Sequence, residues 1–461
     1  MDKIKFGTDG WRAIVGKDFN EKNVIRVTIA IAKYILDNFG HRKPILIGFD
    51  PRLKAEYFAK LSAEKLAQIG FNVYLSKQVV ATPVLAYSAK YRNACAIMFT
   101  ASHNPPEYLG MKFIPDYAGP ATEEITTEIV DNIDKEINIT SQGFLNTESF
   151  DEVYIEHIEQ LIDMEKIKSS NMSIFYDALF GAAGHIFTRI LLKNHVKFDV
   201  RNILFDGKFG GKLPEPAERF LSELKEKCQK ENKVGFSNDG DGDRFAVIDE
   251  NGEFVSANEV IAIILKHLIV NKNVKGKLAK TVAGSLMLDI FAKKQGIEVV
   301  ETPVGFKWVG KAMRENDIII GGEESGGLSI KGHIPEKDGI LANLLILETI
   351  AYTNKTLVQL RKEIQEEIGH SFINKRIDIK LENEELVKTA LEKLNEIEKI
   401  NTLKIANKNH LDGIKIYLND NITSILVRKS GTEPLLRIYC ESDNDKKIEK
   451  IFKYIRKLIE K

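Results

Sequence analysis

Cysteine is scarce in this chain. Only Cys95, Cys228 and Cys440 occur in 461 residues, and none forms a C-x-x-C pair. An odd count without paired spacing argues against a disulfide framework and against a cysteine-based zinc site. Neither charge sign is in surplus: 66 Lys+Arg stand against 66 Asp+Glu, a net charge of zero. Nucleic-acid binding driven by net charge is therefore not expected, because neutralising phosphates needs a basic surplus or stripe. Long apolar runs are missing as well. The most apolar window, Ile261 to Val270, is interrupted by Lys266 and His267 and is too short to span a bilayer. The opening residues Met1-Asp2-Lys3-Ile4-Lys5 hold no apolar signal core. These absences predict a cytoplasmic protein with no membrane and no nucleic-acid partner. Several motifs are also absent: the ATP P-loop G-x-x-x-x-G-K-[ST], a G-x-G-x-x-G after the first strand, the G-x-S-x-G elbow and H-E-x-x-H.

What is present has an ordinary globular balance, 43% hydrophobic and 29% charged. At about 150 residues per domain, the length suggests roughly three domains. The first third alternates strand and helix. Pro44 to Phe49 reads as a buried strand, Ala55 to Ile69 as a helix ended by Gly70, and Phe71 to Leu75 and Ala94 to Phe99 as further strands. That alternation implies parallel α/β layers. Glu123 to Ile139 reads as helix, and the polar stretch Thr140 to Asn146 as a boundary. The same style continues with strands at 172–176, 233–236 and 245–248 and a helix at 257–270. A strand at 280–282, a helix at 286–294 and strands at 297–300 and 318–320 follow. From about Phe372 the texture changes to close-spaced strands at 414–417, 424–428 and 436–440, with helices at 384–398 and 443–460. This last part reads as α+β, a sheet covered by two helices.

Four loops carry chemistry. Thr100-Ala101-Ser102-His103-Asn104-Pro105-Pro106 follows an apolar strand, so Ser102 stands at a strand's carboxyl end, where open α/β sheets place ligands. Asp239-Gly240-Asp241-Gly242-Asp243-Arg244 offers three carboxylates at alternate positions, an oxygen set suited to Mg²⁺ or Ca²⁺. An EF-hand fits less well, although Glu250 is twelfth from Asp239. Arg244 occupies the place of its required glycine, and strands flank the segment. Gly322-Glu323-Glu324-Ser325-Gly326-Gly327 would put Glu323 and Ser325 on one side of an extended loop, facing neighbouring hydroxyls. Arg428-Lys429-Ser430-Gly431-Thr432-Glu433-Pro434, with Arg437, offers guanidinium and hydroxyl groups around glycine, a fitting cradle for a phosphate dianion. Read singly, each loop also fits a plain polar turn.

In this order, and with Phe6-Gly7-Thr8-Asp9-Gly10-Trp11-Arg12 at the start, the set resembles the α-D-phosphohexomutase family along the whole chain. The resemblance implies an α/β fold of four domains around a central cleft: three related α/β domains (1–145, 146–252, 253–369) and a smaller C-terminal α+β domain (370–461). It implies a phosphoserine at Ser102, with Asp239, Asp241 and Asp243 (and the Ser102 phosphate) holding Mg²⁺. Arg12, His103, Lys112 and Arg244 fall near the reacting serine, with Lys112 or His103 as the general base. Glu323 and Ser325 would contact sugar hydroxyls, and Lys307 and His333 would support a substrate phosphate. Arg428, Ser430, Gly431, Thr432 and Arg437 would grip the phosphate that is not reacting. The implied partners are hexose phosphates, with glucose 1,6-bisphosphate as activator and intermediate, acting on a monomer or homodimer. Leu109, Lys429 and Gly327 depart from common family residues and bear on substrate preference. The segments around Gly305-Phe306-Lys307-Trp308 and His333-Ile334 look more like phosphoglucomutases than phosphoglucosamine mutases, with mannose phosphates as further substrates.

Overall fold

The computed structural model describes residues 4–7, 9–40, 43–137, 142–429 and 434–459. Four sheets succeed one another along the chain. The first has seven strands, in the order Phe6–Gly7, Gly10–Ile14, Tyr108–Ile114, Cys95–Phe99, Ile45–Phe49, Val73–Ser76 and Leu145–Glu148. The second has five, the third four, and the last six. Central strands such as Ile45–Phe49 (Ile-Leu-Ile-Gly-Phe) are buried along their whole length. That is why they read as unbroken apolar runs, since helices cover both faces of a parallel sheet.

The first three sheets share one plan, which the residues alone did not reveal. In each, one strand has a parallel neighbour on one side and an antiparallel return on the other. Cys95–Phe99 lies between Ile45–Phe49 and Tyr108–Ile114. Gly235–Asn238 lies between Ser173–Asp177 and Phe245–Ile248. Ile318–Glu323 lies between Lys277–Thr281 and Gly327–Ile330. The reversal after each of these strands is one of the chemical loops. The architecture therefore brings the Ser102, Asp239 and Glu323 loops out at equivalent ends of three sheets.

The last sheet is antiparallel throughout, from Ile373–Lys380 to Lys399–Ile400. Helices Glu384–Glu396 and Asp445–Ile459 pack on it. Its apolar core is its own. By contrast, one continuous core joins residues of the first three units, from Leu46 through Phe236 to Leu344.

Several expected elements match their observed bounds: helix Ala55–Ile69, closed by a left-handed Gly70, helix Ala257–Val270, opened by the Ser256/Glu259 capping box, and helix Leu286–Lys294. Others differ. The helix expected over 123–139 stops at Asp131. Asp134 turns left-handed at φ 66°, held by two Arg26 hydrogen bonds of 2.6 Å each, so the chain leaves the helical path there. Residues 138–141 lie outside the described residues. Leu145–Glu148 pairs in parallel with Val73–Ser76, so the first sheet runs past the division expected after residue 145. The stretch around Lys307, for which no element is expected from the residues, is the helix Phe306–Glu315.

Candidate active site

Ser102 follows the strand Cys95–Phe99 in a left-handed conformation, φ 51°, with its side chain buried. Its Oγ donates to Asp239 Oδ2 at 2.7 Å, across the boundary between the first and second sheets. His103 Nδ1 is 3.4 Å from the same Oγ. The close approach of the two loops depends on Gly240, where a Cβ would stand 2.7 Å from the Ser102 carbonyl oxygen.

Asp239, Asp241 and Asp243 are fully buried, and a ligand oxygen from each lies within 4.8 Å of the others. Lys112 Nζ bridges Asp241 and Asp243 at 2.9 Å each and reaches Asp9 at 2.8 Å. Lys337 Nζ meets Asp243 at 2.8 Å. Thr82 Oγ1 donates to Asp241 Oδ2 at 2.7 Å, and its amide donates to the Asp241 carbonyl at 2.9 Å. Even so, Asp241 Oδ1 and Asp243 Oδ1 are buried without a hydrogen-bond partner. Three converging carboxylates with unpartnered oxygens are a donor set that fits a hard divalent cation.

The electrostatics of the cluster are uneven. Burial, then the neighbouring Asp241 and Asp243, push Asp239 well above the usual carboxylate range. Burial works against ionisation of Asp241 too, but Lys112, Thr82 and Lys337 hold it well below that range. Burial also opposes the Lys112 charge, yet Asp241, Asp243 and Asp9 raise it well above its ordinary value. His103 goes the other way: burial, then Arg244 and Arg12, lower its imidazole to about 3.

Arg12 donates to Asn104 Oδ1 at 2.6 Å and so braces the serine loop. Arg244 takes part through both backbone and side chain. Its amide donates to Asp239 Oδ1 at 3.0 Å. With Ser325, Gly326, Glu215 and Ser256 it lines a cavity of about 320 Å³.

Glu323 ends its strand buried, and its Oε1 accepts from the Gly305 amide at 3.1 Å. Burial, against the pull of Lys337, raises its carboxyl to about 7. Ser325 is exposed at the tip of a tight turn, in which the Gly326 amide donates to the Glu323 carbonyl at 3.2 Å. The expected extended loop is thus corrected to a hairpin turn, because Glu323 and Gly327 are already paired. Lys307 contacts Glu123 at 3.4 Å and lies over the Trp308 ring, in the first turn of its helix rather than in the aspartate cluster.

His333 is turned into the protein interior. Its ring is wholly buried, with Nε2 2.9 Å from Asp338 Oδ2 and Nδ1 2.9 Å from His157 Nε2. Both ring nitrogens are used internally, so the expected support of a substrate phosphate by this ring is corrected.

On the last sheet Arg428 and Arg437 stand directly opposite each other on neighbouring strands. Like charges in that register are destabilising, and the Nε of each is buried and unpartnered. Arg428 also donates to Asp412 at 2.8 Å. Ser430, Gly431 and Thr432 lie outside the described residues.

Sequence reading missed Asp9, Thr82 and Lys337. Asp9 stands in the Phe6–Arg12 segment and Lys337 beside His333, so both were near noted motifs. Thr82 carried no local signal.

Comparisons with known proteins agree along the entire chain. Models described as phosphoglucomutase/phosphomannomutase domains I, II, III and the C-terminal domain match residues 3–140, 152–252, 256–368 and 378–458. A phosphoglucomutase/phosphomannomutase of Thermococcus kodakarensis is 30% identical, over 100% of this chain and 99% of its own. A phosphoglucosamine mutase of Finegoldia magna is 29% identical, over 99% and 98%. A solved Thermus thermophilus protein assigned as a phosphomannomutase has a TM-score of 0.87 at 28% identity, covering 100% of this chain and 99% of that one. Four family domains in order, and a relative at 30% identity over the full length, place the chain in the α-D-phosphohexomutase family of isomerase-class phosphotransferases.

Proposed function

We propose that the chain is a phosphoglucomutase that interconverts glucose 1-phosphate and glucose 6-phosphate through a phosphoserine at Ser102, and that it also accepts mannose phosphates. The observation that carries this reading is the hydrogen bond from Ser102 Oγ to Asp239, 2.7 Å long, beside two unpartnered aspartate oxygens. A serine ester is stable in water and stores a phosphoryl group. Its transfer depends on alignment and charge stabilisation more than on covalent help.

In this reading Ser102 gives its phosphoryl group to the free hydroxyl of a hexose 1-phosphate, forming the 1,6-bisphosphate. The other phosphate then returns to Ser102 and the 6-phosphate leaves. Asp239, Asp241 and Asp243 would hold Mg²⁺, which when bound supplies charge stabilisation to the group in transfer. Lys112 and Lys337 add fixed positive charge at the same place. Of the two base candidates, Lys112 is held protonated by its carboxylates, and burial with Arg244 and Arg12 makes the His103 imidazole a weak base, so both are tested as proton acceptor by substitution. Glu323 would accept from sugar hydroxyls, and the opposed Arg428 and Arg437 would take the distal phosphate. Three buried free thiols suit a cytoplasmic enzyme. Among the described residues, no helix is long and apolar enough to cross a membrane.

The test is a coupled assay of glucose 1-phosphate conversion with Mg²⁺ and a trace of glucose 1,6-bisphosphate. Mannose and glucosamine 1-phosphates are run beside it, because the Finegoldia magna relative is named a phosphoglucosamine mutase. Preferred turnover of glucose 1-phosphate, lost in Ser102→Ala, is expected. Preferred turnover of glucosamine 1-phosphate would replace the proposed substrate, and no turnover by protein phosphorylated on Ser102 would sink the reading.

A further inference from the structure

Arg52 takes no part in the chemistry above, yet its side chain is fully committed. It is 3% exposed. A guanidinium has five N–H donors in a rigid fork, and each of them finds an acceptor. Nε donates to Asp50 Oδ2 at 3.2 Å. One terminal nitrogen donates to the carbonyls of Pro105 at 2.7 Å and Tyr108 at 3.0 Å. The other donates to the carbonyls of Ser102 and Asn104, both at 2.7 Å. Four of the five acceptors are therefore peptide oxygens of the serine loop and its return strand.

The remaining acceptor leads back to the same serine. Asp50 Oδ2 also accepts from Thr100 Oγ1 at 2.6 Å, and Thr100 Oγ1 accepts from the Ser102 amide at 2.8 Å. Both backbone polar groups of Ser102 are thus held by one connected set. Such a set is needed, because a serine at φ 51° is in a region that non-glycine residues occupy only when their surroundings over-determine it. The Phe209 ring, contributed by the second unit, lies 5.0 Å from the guanidinium carbon and packs against the fork.

We propose that Arg52 is a positioning residue for phosphoryl transfer: with Asp50 and Thr100 it holds the left-handed Ser102 backbone that aims Oγ at Asp239. This rests on Ser102 being the residue that carries the phosphoryl group. Lysine cannot replace the fork, since it has three donors on a single point charge. The sugar and distal-phosphate contacts come from other units, so substrate affinity is not at stake.

The experiment compares wild type, Arg52→Lys and Thr100→Val, which leaves the Arg52 fork in place. It records thermal melting, kcat and KM with glucose 1-phosphate, and single-turnover labelling of Ser102 from ³²P-labelled glucose 1,6-bisphosphate. Folded variants are expected to lose about 10²-fold in kcat and in labelling rate, the order of effect of a misplacement near 1 Å, with KM unchanged. Wild-type kcat and labelling in either folded variant would overturn the proposal. So would a loss that appears only in KM or only in the folded fraction, and so would failure of both variants to fold, which would assign the three residues to folding alone. A wild type that takes no label on Ser102 would overturn the phosphoserine reading itself, before any variant is compared.

Discussion

Ser102 Oγ and Asp239 Oδ2 lie 2.7 Å apart although 137 positions separate them in the chain. One residue comes from the first sheet and the other from the second, and the bond joins the proposed nucleophile to the proposed metal site. The triad around Asp239 carries two buried oxygens with no partner. Leaving such groups unsatisfied is costly, so the cluster is better suited to holding a cation than to a purely structural role.

Removal of divalent metal should therefore abolish turnover, and Mg²⁺ should restore it. Asp241→Asn should weaken the Mg²⁺ requirement curve by at least about 10- to 100-fold, the range seen when even outer partners of metal ligands are lost. The check is activity against free Mg²⁺ after treatment with a chelator. Full activity in chelator would refute the metal assignment.

Glu323 supplies a pH signature. Its carboxyl, raised by burial to about 7, is protonated below that pH and anionic above it. The anionic form is the better acceptor for sugar hydroxyls, so kcat/KM should rise as pH increases through about 7. The kcat/KM profile reports ionisations of the free enzyme. Glu323→Gln, which cannot ionise, should lower kcat/KM and erase that inflection. An inflection unchanged in the variant would assign it to another group.

How far the site could be read from the residues depends on how local each signal is. The aspartate triad is a run of five residues, and the strand before Ser102 is an apolar block, so both are visible in one dimension. Helix Ala257–Val270 was legible because its apolar window, Ile261 to Val270, lies within one stretch of the chain. Thr82 could not be found that way, since it reaches Asp241 across 159 positions. Lys337 and Asp9 likewise act by converging on Asp243 and Lys112 from distant parts of the chain. His333 misled for the complementary reason. A histidine among polar residues looks like a ligand, but its ring stacks beside His157 and Tyr87, which other units bring to it. The helix Phe306–Glu315 opens after Gly305 with no side-chain cap, so nothing local marks its start.

His157 makes stability depend on pH. Burial, then the adjacent His333, lower its imidazole from the usual 6.5 to about 4. Between those values the unfolded chain binds a proton that the folded chain does not, so stability rises with pH across this window and is lost on acidification. Denaturant unfolding should give a lower midpoint at pH 5 than at pH 7.5, a pair chosen to straddle the ordinary histidine range. His157→Gln should shrink that difference. An equal difference in the variant would remove His157 from the account.

The C-terminal unit has a separate core, and a set of polar contacts ties it to the third unit. Glu441 is central to them. Its carboxylate accepts from the Leu286 amide at 2.7 Å and from the Ser285 hydroxyl, at the start of helix Leu286–Lys294. Beside it, Lys415 reaches Glu301 at 2.9 Å, and Asp412 accepts from the Val304 amide at 3.0 Å. A carboxylate at a helix N-terminus meets both unpaired amides and the positive end of the dipole. Glu441→Ala removes that cap and should cost about 1 kcal/mol, as other cap losses do, while leaving both cores intact. The weakened joint should then show as faster proteolysis near residues 369–372. It should also raise KM for hexose phosphates, because Arg428 and Arg437 would meet the distal phosphate from a less fixed position, while the rate of Ser102 labelling at saturating bisphosphate stays the same. Unchanged proteolysis and KM would show that the remaining contacts hold the unit without Glu441.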